Sequence, residues 1–249
     1  MIFTLIFLLF KYNIEIRISA LIMSTEFIKN VIPSLFPILI ISKYIKENII
    51  SKTNNKFIRY ISLCLSFMPA NAIISNNEKE LLYSSNVNPI FSYVMIRNIL
   101  GSKKAIIIVL INLFVNYFLL YKNVDTTNHI DNCKKDDFIN IIKASSKSLI
   151  YIYGTIIFCN IIYTLLKIFI SNKFLFIIEI TNGFKIISSF MKYKTASVIL
   201  LNSFGGLSFM LQIKSIKTNI SRTFIMKRIA ISIFVLILTE IILMSYFII

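Results

Sequence analysis

A carboxylate with polar neighbours lies inside an otherwise apolar stretch of the sequence. Glu179 occurs within "FLFIIEITNG", and Thr181 and Asn182 follow it closely. An ionisable side chain is costly in an apolar environment, where it commonly marks a ligand, ion or proton pathway. Burial favours the neutral form of a carboxylate, which would permit coupling to protons. The alternative is a neutral, hydrogen-bonded glutamate that ties helices together.

Polar and turn-forming residues interrupt apolar sequence twice more, at residues 84–89 and 202–212. At such interruptions, half-helix N-termini would favour an anionic ligand and exposed carbonyls a cation. The alternative is that these side chains only cap helix ends at turns. The predicted substrate-binding residues are Ser85, Asn86, Asn88, Glu179, Thr181, Asn182, Asn202, Ser203, Ser208 and Gln212, and the predicted backbone-turn residues are Pro89, Gly183, Gly205 and Gly206.

Motifs typical of enzymes and metal sites do not occur in this sequence. It contains no G-x-S-x-G, no H-E-x-x-H and no Walker A pattern. The single histidine, His129, lies in a polar segment, and the three cysteines have no C-x-x-C spacing. We therefore expect no enzyme activity, no metal and no cofactor, apart from a coupling ion, H⁺ or Na⁺, that the sequence does not identify.

Long apolar runs must position these residues, and they indicate an all-α, multi-pass membrane protein. The chain is 57% hydrophobic, and residues 105–121, 149–170 and 229–249 form apolar runs suited to crossing a bilayer. The net charge of +16 lies mostly between such runs, which favours topology signals over a nucleic-acid-binding domain. The positive-inside rule then predicts a cytoplasmic 214–228 segment, ending at Arg228, and the acid-containing residues 122–137 on the opposite side.

The interruptions recur in both halves of the chain. Pro33 and Pro37 predict a kinked or discontinuous helix, the broken helix of the first half, and a re-entrant hairpin tipped by residues 84–89 follows it. Glu179 to Gly183 and then residues 202–208 repeat this order. Paired interruptions point to a transporter site near the bilayer midplane. The predicted units are an N-terminal hydrophobic or amphipathic helix (1–24), a first repeat (25–121), a polar loop and amphipathic helix (122–148), a connecting helix with the second repeat (149–228) and a C-terminal helix (229–249).

Five motifs in this order resemble the YlbJ-type sporulation integral membrane proteins of the nucleoside-recognition, or Gate-domain, family. They are "NVIPSLFPILIIS", "LLYSSNVNPIF", "SLIYIYGTIIFCNIIYTLL", "EITNGFKIIS" and "NSFGGLSFMLQIKSI", and the resemblance covers most of residues 25–220. It implies two gate-like repeats, each with a broken helix and a re-entrant hairpin. It also implies a role in moving dipicolinic acid across the outer forespore membrane of a spore-forming bacterium. The sequence departs from the family pattern at "FMPANA", residues 67–72, and at Ser85.

These features together predict a transporter or permease for a small anionic metabolite, with dipicolinic acid implied only by the resemblance. Two alternatives stay open: a nucleoside-type transporter, and a non-transporting membrane scaffold in spore formation. The expected partners are the lipid bilayer and the small anionic solute, without nucleic acid, and a homo-oligomer is left open.

Overall fold

The computed structural model describes residues 11–48, 57–58, 62–63, 67–75, 77–123, 137–217 and 220–247. The regular structure in these ranges is helical, without strands, which confirms the all-α prediction. Residues 1–10 of the predicted N-terminal helix, and His129, Cys64 and Cys133, lie outside the described residues. The helices are α1 (Asn13–Asn48), α2 (Asn71–Ile74), α3 (Glu78–Ser84), α4 (Pro89–Leu100), α5 (Ser102–Asn123), α6 (Phe138–Phe169), α7 (Asn172–Leu175), α8 (Ile180–Ser188), α9 (Lys194–Phe204), α10 (Gly206–Ile216) and α11 (Arg222–Phe247).

Five helical stretches among the described residues are long and apolar enough to cross a membrane. They are Asn13–Asn48, Ser102–Lys122, Phe138–Phe169, Lys194–Ile216 and Arg222–Tyr246. The shortest has 21 residues, and about 20 helical residues suffice for roughly 30 Å of hydrocarbon. The three predicted spans fall on α5, α6 and α11, as expected for a multi-pass membrane protein. The fourth stretch combines α9 and α10, where the sequence predicted a hairpin.

A discontinuity at Pro33 and Pro37 is wrong, because α1 continues through both prolines. A single π-helical turn, Phe27–Val31, precedes Pro33. A proline lacks the N–H for a helical bond, and its ring meets the carbonyl four residues earlier. For Pro33 that carbonyl belongs to the π-turn, where the hydrogen-bond pattern is already shifted. The helix is also held from outside, since the Phe27 ring packs 4.9 Å from the ring of Tyr153 in α6.

Main-chain hydrogen bonds connect two turns to the helix interruptions. Residues 68–70 form one turn and residues 176–178 the other. Met68 N–H donates to the Asn86 carbonyl at 2.8 Å, between α3 and α4. Leu207 and Ser208, at the start of α10, donate their N–H groups to the carbonyls of Ile177 and Ile178, both at 2.9 Å. Each turn is thereby fixed to the interruption that follows it in the sequence.

Polar contacts join the ends of several helices at one end of the molecule. The Glu78 carboxylate accepts from the Ser221 N–H at 3.1 Å and from its hydroxyl at 2.6 Å. Lys217 Nζ donates to the Ser75 carbonyl at 2.9 Å. The starts of α3 and α11 and the C-terminal end of α10 therefore lie together, and we call this the Lys217 end.

The α5 helix runs toward the Lys217 end. Leu120, near its C-terminus, packs in a cluster with Ile74 and Tyr83, whereas its start follows α4 through Gly101. It packs along both α3 and α4. Because α5 contacts α3 with its last turns and α4 with its first, α3 and α4 lie one beyond the other along it.

The helix ends that flank residues 122–137 lie at the Lys217 end, whereas the sequence predicted this segment on the side opposite 214–228. The C-terminus of α5 lies at the Lys217 end, and Ala144 and Ser148, near the start of α6, line a cavity together with Lys217 and Ser75. Both helices that flank the acid-containing segment thus end or begin on the side of the basic 214–228 segment. Acidic residues contribute little to topology, which is why their presence in this segment misled the prediction.

Candidate functional site

A cavity of about 160 Å³ brings together five of the ten predicted binding residues. It lies between the turn at 68–70, the start of α8, and α1, α4, α6 and α10, and apolar and aromatic side chains form much of its wall. Phe67, Met68 and Pro69, from the segment where the sequence departs from the family pattern, belong to that wall. The predicted residues that line it are Asn88, Glu179, Thr181, Ser208 and Gln212.

Glu179 caps the helix that starts at the cavity. Its Oε1 accepts from the Thr181 N–H at 3.0 Å and its Oε2 from the Asn182 N–H at 2.7 Å. The first N–H groups of a helix have no partner within the helix, and a carboxylate there also interacts favourably with the helix dipole. The side chain is only 5% exposed. Glu179 therefore stabilises α8 and at the same time belongs to the cavity wall.

Asn88 performs the same task for α4. Its Oδ1 accepts from the Ile90 N–H at 2.9 Å and the Phe91 N–H at 3.4 Å, and Pro89 occupies the first helical position. Gly205 is the N-cap residue of a third helix with its first turn at the cavity, α10. The first turns of α4, α8 and α10 thus all line one cavity, with their positive dipole ends near it.

Three glycines shape the backbone beside the cavity. Gly205 and Gly206 have φ of 86° and 84°, values that glycine adopts without the steric cost of a side chain. They redirect the chain between α9 and α10. Gly183, predicted at a turn, lies inside α8 instead. A Cβ there would come within 2.2 Å of the Phe176 carbonyl oxygen, so Gly183 permits close packing of α8 against the 176–178 turn.

A second group of polar residues surrounds the guanidinium of Arg228. This side chain is fully buried, although the sequence predicted it in a cytoplasmic basic segment. Its Nη1 donates to the Leu82 carbonyl at 3.3 Å and to Asn116 Oδ1 at 3.1 Å. Its Nη2 donates to the carbonyls of Ser85 and Ser203. The assignment of Arg228 as a surface topology signal is therefore wrong: it links the interruption after α3 to the end of α9.

Buried amides extend this group. Asn86 Oδ1 accepts from Asn116 Nδ2 at 2.8 Å and from Asn112 Nδ2 at 3.5 Å. Asn71 Nδ2 donates to the hydroxyl of Ser85 at 3.3 Å. Ser85, Asn86 and Ser203, predicted to bind substrate, therefore belong to the Arg228 group and do not line the cavity. We call this set the Arg228 cluster: Asn71, Leu82, Ser85, Asn86, Asn112, Asn116, Ser203 and Arg228.

The sequence prediction missed Asn112, Asn116 and Arg228. The two asparagines are four residues apart in an otherwise apolar run, which places them on one face of a helix. Arg228 is followed four residues later by Ser232, which is also buried. A polar stripe at helical spacing inside an apolar run was thus the available signal, but the adjacent lysines and arginines obscured it.

Two predicted residues lie in neither group. Asn182 donates from Nδ2 to Asn160 Oδ1 at 3.4 Å and lines a separate cavity of about 320 Å³ with Glu26 and Lys185. Asn202 is buried, and its Oδ1 has no hydrogen-bond partner among the described residues.

Within the described ranges, no three His, Cys, Asp or Glu side chains lie close enough to share a metal ion. Comparison with protein-family models, with curated proteins and with solved structures found no match to this chain.

Proposed function

We propose that this protein is a membrane transporter for a small anionic solute that binds in the cavity between the turn at 68–70 and the start of α8. The observation that carries the proposal is that interruptions from both halves of the chain meet beside one partly polar cavity. Irregular backbone at membrane depth is tolerated where protein or a cavity covers it, and paired interruptions are a feature of transporter binding sites.

The order of elements supports an internal repeat of the gate-like kind. In the first half, α1, the turn 68–70, α2, the α3–α4 pair and α5 follow one another. In the second half, α6, the turn 176–178, α8, the α9–α10 pair and α11 follow in the same order. Contacts between the halves are reciprocal, since α2 packs on α10 and α8 packs on α4.

We further propose that the segments predicted as re-entrant hairpins are discontinuous helices instead, and that the re-entrant segments precede them in each half. The two turns are the tips of re-entrant segments, and the α3–α4 and α9–α10 pairs are discontinuous helices that cross the membrane. This follows from the packing of α3 and α4 one beyond the other along α5, and from the length and hydropathy of Lys194–Ile216. Labelling of single cysteines at positions 77 and 102 tests the α3–α4 pair. Reagent should reach the two cysteines from opposite sides of the membrane. Labelling of both from the same side would support the predicted hairpin instead.

The size and wall of the cavity limit the solute. An apolar protein cavity of roughly 150 Å³ accepts benzene, so about 160 Å³ suits one six-membered ring. Phe67, Phe91 and Phe209 offer contact to such a ring, while Ser208 and Gln212 offer hydrogen bonds. A ring with two carboxylates, such as the dipicolinate that the resemblance implies, needs more room and would enter only when the cavity widens.

The Glu179 carboxylate imposes a condition on anion binding. Beside an ionised glutamate, an anion is repelled, whereas a protonated glutamate removes the repulsion and can donate a hydrogen bond. Transport is therefore coupled to protonation of Glu179 in this proposal. The outer forespore membrane is the location that the resemblance implies, so transcription in the mother cell during sporulation is expected and vegetative expression would contradict that location.

Uptake into proteoliposomes tests the proposal. The radiolabelled probes are nicotinate (one ring, one carboxylate), dipicolinate and uridine. Ser208→Ala should lower anion uptake about tenfold, as expected for one lost hydrogen bond to a charged group. Ser215→Ala is the matched control, because it lies two turns further along α10 and outside the cavity wall. Uptake of uridine alone would favour the nucleoside transporter, and no uptake of any probe would favour the scaffold.

A further inference from the structure

The Arg228 guanidinium is enclosed by neutral oxygen atoms. Four acceptors contact it, three main-chain carbonyls and the Asn116 side-chain oxygen. None of these acceptors is a carboxylate. A buried cation without an anionic partner is costly, so the surrounding dipoles must compensate for it.

The compensating dipoles come from two helix ends. Leu82 and Ser85 lie at the C-terminus of α3, and Ser203 lies in the last turn of α9. The C-terminus of a helix carries about half an elementary negative charge. Two such ends, both directed at one guanidinium, offset about one positive charge. The site thus has the electrostatics of a monovalent cation site.

Cation sites of this composition are those that transporters use for coupling ions. Carbonyls of unwound helix and the C-terminal ends of half-helices coordinate Na⁺ or H⁺ in such proteins. Here the same kinds of oxygen, at the interruptions of α3–α4 and α9–α10, hold a side chain of the protein itself. Arg228 Nε has no hydrogen-bond partner among the described residues, and the contacts of the guanidinium are made by its two terminal nitrogens.

We propose that the Arg228 cluster contains a monovalent-cation site with a permanent, tethered occupant, the guanidinium of Arg228. The site therefore requires no external cation, and solute movement does not depend on Na⁺ there. The statement about solute movement rests on the proposed transport function, whereas the statement about the cation site does not.

Chemical rescue of purified Arg228→Ala tests the cation site. Its apparent melting temperature is measured in choline chloride and then with methylguanidinium, Na⁺ or K⁺ at equal ionic strength. Methylguanidinium, which keeps both terminal nitrogens, should restore at least half of the lost melting temperature in a saturable manner, and Na⁺ or K⁺ should restore less. Lys227→Ala, exposed and adjacent in the sequence, should neither lose stability nor respond.

Absence of any cation-specific rescue would overturn the proposal. If Arg228→Ala is too unstable to purify, Arg228→Gln replaces it, because its amide leaves most of the oxygens without a donor. If solute movement does not depend on Na⁺, the wild type should take up the anionic probes equally in Na⁺ and in choline. Na⁺-dependent uptake would refute that statement. If the wild type transports no probe, the rescue experiment still decides whether the cation site exists.

Discussion

Substitution of Gly183 by alanine should disturb the cavity wall by a calculable amount. A Cβ at this position would lie 2.2 Å from the Phe176 carbonyl oxygen and 2.6 Å from Leu201 Cδ2. The leucine side chain can rotate away, but the carbonyl belongs to the turn whose next two carbonyls, Ile177 and Ile178, hold the start of α10. Moving this turn by about 1 Å therefore adds weakened hydrogen bonds to the cost of overpacking.

These terms give a net destabilisation of about 2–4 kcal/mol. Overpacking costs about 1–3 kcal/mol and the two hydrogen bonds about 1 kcal/mol each, while alanine gains about 1 kcal/mol in helix propensity. The apparent melting temperature should fall by about 4–16 °C. Circular dichroism at a fixed scan rate on detergent-purified protein measures it, since unfolding of such proteins is often irreversible.

Gly154→Ala is the matched control. Gly154 also lies inside a helix, but a Cβ there has no neighbour within 4 Å. Its melting temperature should stay the same or rise by about 2–4 °C through the gain in helix propensity. Equal behaviour of the two variants would refute the inference that close approach of the 176–178 turn requires glycine at position 183.

Three further predictions concern other parts of the fold. Arg228→Met should cost about 3–5 kcal/mol because it leaves buried oxygens without donors, whereas Lys227→Met should be neutral; comparable losses in thermal unfolding would contradict the assigned contacts. Asn88→Ala should cost about 1 kcal/mol through loss of the α4 cap and Asn88→Asp much less, and melting temperatures of the pair check this. Burial, and secondarily Lys46, lowers the pKa of Lys217, while Glu80 and Glu78 oppose the shift. The folded form then loses its proton before the unfolded form does, so stability should rise as the pH passes through the lowered pKa toward the ordinary value of 10.5. Lys217→Met should flatten that rise, and an unchanged pH dependence of the melting temperature would argue against a lowered pKa of the half-buried Lys217.

The interruptions of the apolar sequence were predictable, but their geometry was not. Asn88, Glu179 and Gly205 do begin helices, because their side chains or backbone freedom suit helix starts. The prolines of α1 misled the prediction, since a π-turn and packing against α6 keep that helix continuous. Proline lowers the stability of a helix locally, and tertiary packing decides whether the helix nevertheless continues.

Half of the predicted binding residues line one cavity, and the sequence offered good reason to expect them there. Glu179 and Gln212 are polar groups in apolar surroundings, which are rarely placed without a partner or a ligand. Ser85 and Ser203 belong elsewhere because their main-chain carbonyls, not their hydroxyls, contact Arg228. A sequence carries no direct information on which main-chain atoms remain free at an interruption.

The sequence by itself determined that the chain is helical and apolar enough to cross a membrane, because hydropathy and residue type act locally over one helix length. Only the tertiary structure decided where Arg228 lies and which side the flanks of residues 122–137 share. Both depend on the direction in which α5, α6 and α11 pack, a long-range property. A single buried guanidinium can join two helix ends across more than a hundred residues, and no local pattern encodes that pairing.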